Sequence, residues 1–297
     1  MDIVYSHNNN WFFADLAERL FHDLPTERRA RARLLNVREF LDAEPSDHVV
    51  VVNWHEATME PSIKGREPIL RRRVAAAARR TLVCAECVGT DWFQNQFADD
   101  IEWSELVDVG WFEQELPSER AETPYRFVFN APTRTERLQL EAHLATADAE
   151  RPIPWAFIAS LTEDRAGFAD ELVKWDPRGF LFLPTVMPVR PGSGRLEKHH
   201  LDRILSATRF YIWRAQHDFA YFESFRVLDA LLRGAFPVKI DPLFRTRFQE
   251  TGCVFGGLPE MIDVFSRTDR TEAFARLVRL LLDRPTLGQS FTEVLDA

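Results

Sequence analysis

A serine, an arginine and an aspartate recur at short intervals in Glu223-Ser-Phe-Arg-Val-Leu-Asp-Ala-Leu-Leu-Arg-Gly-Ala-Phe-Pro-Val238, and these residue types suit a phosphorylated ribose. The spacing of apolar residues predicts a helix over 222–233. Ser224 falls at its start, as N-cap or first-turn residue, where unsatisfied N–H groups and the positive dipole end favour an anion. Arg226 in the same turn presents a planar fork that can clamp a diphosphate bidentately. Asp229 lies three residues on, along the same face, and can accept both hydroxyls of a ribose. Taken alone, Arg226 and Asp229 also match an ordinary i,i+3 ion pair on a solvated face. Arg214 and His217 occupy the polar loop before the helix, where ligands are expected. Glu223 ends that loop, a place where the dipole alone favours a carboxylate. Gly234 as C-cap and Pro237 let the chain leave the helix and enter the next strand.

The first half offers groups for proton transfer. His7 directly follows the first apolar run, and a base that deprotonates a hydroxyl needs a pKa near neutrality. Its structural alternative is to cap, with Asn8, Asn9 and Asn10, a helix beginning near Trp11. His55 and Glu56 follow the run 48–53, and Glu86 and Asp91 occupy a comparable edge after the next run. Arg71, Arg72, Arg73, Arg79 and Arg80 read as a solvated helix face, with an anionic acceptor as the alternative partner. Trp213, Phe219, Tyr221 and Phe222 read as core before they read as a nucleobase platform. Cys84 and Cys87 match Cys-x-x-Cys, but with Cys253 they are the only cysteines, too few for a four-ligand zinc site. Within a strand their thiols point to opposite faces, so both are assigned to the core.

The elements that must position these groups alternate along the chain. Strand-length apolar runs occupy 2–6, 33–37, 48–53, 81–87 and 125–130, and again 155–160, 179–184, 209–213 and 235–240. Segments of helical period lie among them at 11–22, 68–78, 134–145, 164–174, 197–206, 222–233 and 272–283. Short strands separated by helices predict parallel sheets covered on both faces, an α/β protein. The polar stretch 145–154 ends in Pro152 and Pro154 near mid-chain, and it divides the chain into domains 1–150 and 151–297. Two Rossmann-like, doubly wound domains would meet across a cleft at the carboxyl ends of their strands.

Composition narrows the function classes. At 45% hydrophobic and 28% charged residues, the 297-residue chain is globular, not disordered. A net charge of −9 argues against a broad nucleic-acid surface. Only four of its 37 basic residues are lysines, at 64, 174, 198 and 239. No apolar run reaches the length of a membrane span, and the first residues lack the pattern of a signal peptide, so a cytoplasmic location is expected. Gly-x-Gly-x-x-Gly and P-loop patterns are absent, which disfavours dinucleotide oxidoreductases and NTPases.

The stretch 223–238 resembles the donor-binding helix of GT-B glycosyltransferases. It follows the Ser-x-Arg-x-x-(Asp/Glu)-Ala-x-x-x-Gly-x-x-Pro-Val pattern of exostosin-like proteins and of bacterial glycosyltransferases related to spore maturation proteins, through Ser224, Arg226, Asp229, Ala230, Gly234, Pro237 and Val238. The resemblance implies that Asp229 binds the ribose of a nucleotide sugar and that the helix start meets its diphosphate or sugar. Trp155-Ala-Phe-Ile-Ala-Ser-Leu-Thr-Glu-Asp-Arg165 is similar to the first strand and loop of the same domain, which implies that Ser160, Thr162 and Arg165 approach the phosphates. Retaining members carry two glutamates eight positions apart, whereas here Tyr221 stands eight before Asp229 and Glu223 six before it. The α1,3-fucosyltransferases share the strand–loop–helix–Pro-Val layout, but their Thr-Glu-Lys at the helix start is absent.

The expected activity is transfer of a hexosyl group from a nucleoside-diphosphate sugar to an acceptor hydroxyl, the acceptor being a glycan, a lipid-linked molecule or a small molecule. The catalytic candidates are His7 and Glu223, with His55, Glu86 and Asp91 on the acceptor side. No cofactor is expected beyond the donor substrate. With no Asp-x-Asp metal motif, arginines and helix N-termini are expected to stabilise the leaving group. A nucleotide-sugar 2-epimerase and a non-catalytic sugar-nucleotide-binding protein are the alternatives.

Overall fold

The structure, a computed structural model, describes residues 1–7, 11–97, 101–118, 122–146, 150–184, 196–215 and 218–297. His217 and the asparagines at 8–10 therefore lie outside the described residues. The chain forms two compact units, one made of 1–133 with 285–297 and the other of 134–284.

The strands of the first unit are β1 (Asp2–Tyr5), β2 (Arg33–Asn36), β3 (His48–Val52), β4 (Arg79–Cys84), β5 (Glu105–Gly110) and β6 (Tyr125–Phe129). They form one parallel sheet in the order β2-β1-β3-β4-β5-β6. Its helices are α1 (Trp11–Asp23), α2 (Thr26–Arg29), α3 (Val37–Asp42), α4 (Trp54–Thr58), α5 (Glu67–Ala75) and α6 (Asp91–Gln94). Val49, Val50, Val51 and Val52 in β3 are fully buried, as a strand covered on both faces requires. Val4, Val51, Leu82 and Leu106 from four successive strands join Phe40, Trp54, Leu70 and Phe93 in one core.

The second unit contains α7 (Arg134–Ala145), β7 (Ile153–Ile158), α8 (Glu163–Trp175), β8 (Phe180–Phe182), α9 (Lys198–Ser206), β9 (Thr208–Arg214), α10 (Ser224–Leu232) and β10 (Phe236–Ile240). It continues through α11 (Arg245–Phe248), β11 (Val254–Phe255), α12 (Leu258–Arg267) and α13 (Arg270–Leu282). The parallel sheet runs β8-β7-β9-β10-β11, so both units repeat the order 2-1-3-4-5 of a doubly wound fold. The predicted α/β class with two Rossmann-like sheets is the class observed.

Boundaries differ from the sequence pattern in physically explicable ways. Proline 154 lies inside β7, not in a linker: β8 pairs only from Ala156, so the proline has a single neighbouring strand. Pro237 in β10 is tolerated likewise, because β11 reaches only Lys239 and Ile240. The contact division falls at 133/134 instead of 150, since α7 packs on α10 and α13; His143 Nε2 lies 2.9 Å from the Leu232 carbonyl and Arg137 donates to that of Leu282. The last helix, α14 (Leu287–Asp296), returns to the first unit, where the Gly288 N–H donates to Asp23 Oδ2 at 2.7 Å. A Cβ at Gly288 would lie 2.1 Å from the Asp23 carbonyl oxygen, so only glycine allows that approach.

Two strands, β5 and β11, are additions to the sequence reading. The run 81–87 is replaced by β4, ending at Cys84. Cys87 lies in the turn beyond it, and both thiols are buried. Burial pushes the Cys84 thiol well above its ordinary range, which makes it a poor nucleophile.

Candidate functional site

In each sheet the strand order reverses beside its first strand, between β1 and β3 in one unit and between β7 and β9 in the other. Ligands of doubly wound folds bind beyond the carboxyl ends of the strands at such a reversal.

In the second unit two guanidinium groups are anchored there. Arg165, in the first turn of α8 and 4% exposed, donates through Nη1 to the Ser160 carbonyl at 3.2 Å. Thr162 caps this helix by accepting from the Arg165 N–H. Arg226, in the first turn of α10, donates through Nη1 to the Ile158 carbonyl at 3.0 Å and to Tyr211 Oη at 2.6 Å. Its Nε and Nη2 have no hydrogen-bond partner among the described residues. Burial and the neighbouring Arg226 bring the Arg165 pKa down to about 10. Burial also opposes the charge of Arg226, but Tyr211, Glu223 and Asp229 outweigh it and raise its pKa. On Arg165, Glu223 and Asp164 act in the opposite sense to Arg226.

The other residues read from the sequence take different places. Arg214, at the end of β9, pairs with Asp164 Oδ1 at 2.7 Å and lies over the Phe168 ring. Ser224 is buried and is the first helical residue, with Glu223 in the N-cap position. Gly234 lies one residue beyond the C-cap Arg233, at φ 73°, the left-handed conformation that glycine adopts freely. Asp229 lies 3.8 Å from Arg233, which also pairs with Asp202. Its observed ion pair is thus i,i+4 with Arg233.

Glu223 is held by a residue the sequence reading passed over. Lys239, in β10 and 1% exposed, places Nζ 3.0 Å from Glu223 Oε2 and 3.1 Å from Asp241 Oδ2. Nζ also donates to the Tyr221 carbonyl and lies 5.0 Å from the centre of the Phe248 ring. Asp241 Oδ1 accepts from the N–H groups of Leu243 and Phe244. A lysine in an apolar strand, with an aspartate two positions on, was the available signal in a chain with four lysines.

The edge of the first unit carries carboxylates instead. Asn53 follows β3 at φ 58°, the one non-glycine with positive φ among the described residues, and is fully buried. Its Oδ1 accepts from the Glu56 N–H and from Gln96 Nε2, each at 3.0 Å, while its Nδ2 donates to Glu86 Oε1 at 3.2 Å. Burial pushes the Glu86 carboxyl up to about 7; the Asn53 hydrogen bond pulls it down and Glu56 adds to the rise. Asp108, in β5, is pushed to about 6 by burial despite hydrogen bonds from Tyr125 Oη at 2.8 Å and from Gln114. Gln114 also donates to the Glu86 carbonyl at 3.0 Å. His55 lies edge-on to Trp92, and burial lowers its pKa. Asp91 is exposed in the first turn of α6.

His7 belongs to a different hydrogen-bonded group. It is exposed, with Nε2 3.2 Å from Tyr5 Oη, and its N–H donates to Glu60 Oε2 at 3.1 Å. That carboxylate also accepts from Ser6 Oγ. Glu60, remote in sequence from His7, had no local signal.

Among the described residues no helix is long and apolar enough to cross a membrane. No protein-family model matches the chain. A search of curated proteins found no significant match. Among solved structures, the chain is similar to a crystal structure of an α1,3-fucosyltransferase, with a TM-score of 0.45 and 14% identity over 100% of this chain and 87% of that one.

Proposed function

We propose that this protein is a glycosyltransferase that moves a sugar from a nucleoside-diphosphate sugar to an acceptor hydroxyl. The observation that carries the reading is the anchored pair Arg165 and Arg226, with Nε and Nη2 of Arg226 unengaged at the β7/β9 reversal. A diphosphate would take those donors, and the positive ends of α8 and α10 would add to its binding. The acceptor oxygen forms a bond to the anomeric carbon as the bond to the β-phosphate oxygen breaks. The electron pair leaves with the nucleoside diphosphate, and fixed guanidinium groups stabilise that charge. Turnover is accordingly expected to survive EDTA.

Glu86 is proposed as the base that receives the acceptor proton, because its pKa of about 7 lets it exchange protons near neutrality. Glu223 is instead assigned to holding the start of α10 through Lys239. Asp229 is proposed to accept the ribose hydroxyls in place of its long contact to Arg233.

A thermal-shift panel of UDP, GDP, CMP and dTDP tests the reading, since a ligand that binds only the native state raises the melting temperature. One diphosphate should raise it, and the same diphosphate should fail with Arg226→Met. No shift with any nucleotide would sink the proposal. A sugar isomer formed from donor alone would redirect it to an epimerase.

A further inference from the structure

The hydrogen bonding of Tyr211 is incomplete in an informative way. Tyr211 lies in β9, next to β7 in the sheet, and is 3% exposed. Its Oη is 2.6 Å from Arg226 Nη1. A guanidinium has only donors, so the phenol oxygen must accept in this contact. The phenol proton is then left to be donated elsewhere, and no described residue accepts it. A buried donor without an acceptor is rare in folded proteins and calls for an explanation. Glu223 and Asp229 act on Tyr211 only through space.

We infer that the Tyr211 hydroxyl is a third donor of the anion site, giving its proton to a phosphoryl oxygen of the ligand that Arg165 and Arg226 hold. The inference rests on the anion-binding reading above and adds to it a neutral group from the interior of the sheet. Arg226 orients the phenol by occupying its oxygen, and the phosphoryl oxygen completes it. Burial raises the Tyr211 pKa, which keeps the proton on the oxygen where the ligand needs it. The chemistry selects an oxyanion: an amine or an imidazolium has no oxygen to accept the proton and would meet two guanidinium groups.

Isothermal titration of the full chain tests this with inorganic pyrophosphate, which needs no knowledge of the base, and with the nucleoside diphosphate that scores in the thermal panel. Tyr211→Phe keeps the ring and removes one oxygen. It should weaken both ligands about tenfold, the usual worth of a hydrogen bond to a charged group. Unchanged affinity in a folded Tyr211→Phe protein overturns the role of Tyr211 while leaving the anion site in place. Wild-type protein that binds neither pyrophosphate nor any nucleotide overturns the anion site and this inference together. Should Tyr211→Phe fail to fold, fluorine NMR of protein labelled with 3-fluorotyrosine gives the same test in the native fold. The chain has four tyrosines, at 5, 125, 211 and 221, so their signals can be assigned by single substitution. Saturating pyrophosphate should shift the Tyr211 signal, and an unmoved signal overturns the inference.

Discussion

The two sheets share one strand order, but the groups at their carboxyl ends differ in charge. Beyond β7 and β9 stand Arg165, Arg214 and Arg226, with Lys239 buried in the neighbouring strand. Beyond β3 and β4 stand Glu56 and Glu86, with Asp108 in the next strand. Burial has opposite consequences at the two edges. An arginine keeps its proton even when half-buried, so the edge of the second unit holds a fixed positive charge. A carboxylate loses its charge as it is desolvated, and burial raises the Glu86 and Asp108 carboxyls to about 7 and about 6. The strand order is shared, and the side chains after each strand decide the charge of its edge.

The largest effect is expected at Arg226. Arg226→Met should weaken nucleoside-diphosphate binding roughly 100- to 1,000-fold, as expected when one partner of a desolvated charge pair is removed. Titration calorimetry should find the same affinity in Glu86→Gln as in wild type. If Glu86→Gln weakens nucleotide binding as much as Arg226→Met does, the division of labour between the edges is wrong.

Glu86→Gln should instead lower turnover about 100-fold and remove the acidic limb of the pH–rate profile, which wild-type protein should show near pH 7. His7→Ala is the counter-test. It should leave turnover near normal, and a comparable loss would move the base to the loop after β1.

The same carboxyl makes a stability prediction. The folded-state pKa of Glu86 lies above its unfolded value of 4.5, so the folded state holds this proton more tightly. Its contribution is fully present below pH 4.5 and is lost as pH rises through about 7. Denaturant titrations of wild type and Glu86→Gln between pH 4 and pH 8 should differ in slope, the variant escaping a loss of about 3 kcal/mol. Parallel curves would mean that the Glu86 carboxyl has the same pKa in the folded and unfolded states.

The smallest effect is expected at Asp229. Asp229→Ala should cost about tenfold in nucleotide affinity, the worth of hydrogen bonds to a charged acceptor, with the fold intact. Wild-type affinity in that variant would rule out Asp229 as a ribose acceptor.

Local pattern was enough for much of this architecture. Valine-rich runs such as 49–52 and the helical spacing of 222–233 each depend on neighbours within one element, so class, order of elements and the helix carrying Arg226 were legible. Gly234 was legible as a helix end because left-handed backbone is a property of a single residue. β5 was not: Glu105 and Asp108 interrupt its apolar run, and only the fold shows Asp108 buried against Tyr125 and Gln114. Which side chains meet was decided by the tertiary structure. Asn53 meets Glu86, Glu60 meets Ser6, Lys239 meets Glu223, and Tyr211 meets Arg226 across separate strands and helices. Residue type and spacing specify the face a side chain occupies. The partner on that face comes from a distant part of the chain, and it is the partner that sets charge, pKa and hence chemistry.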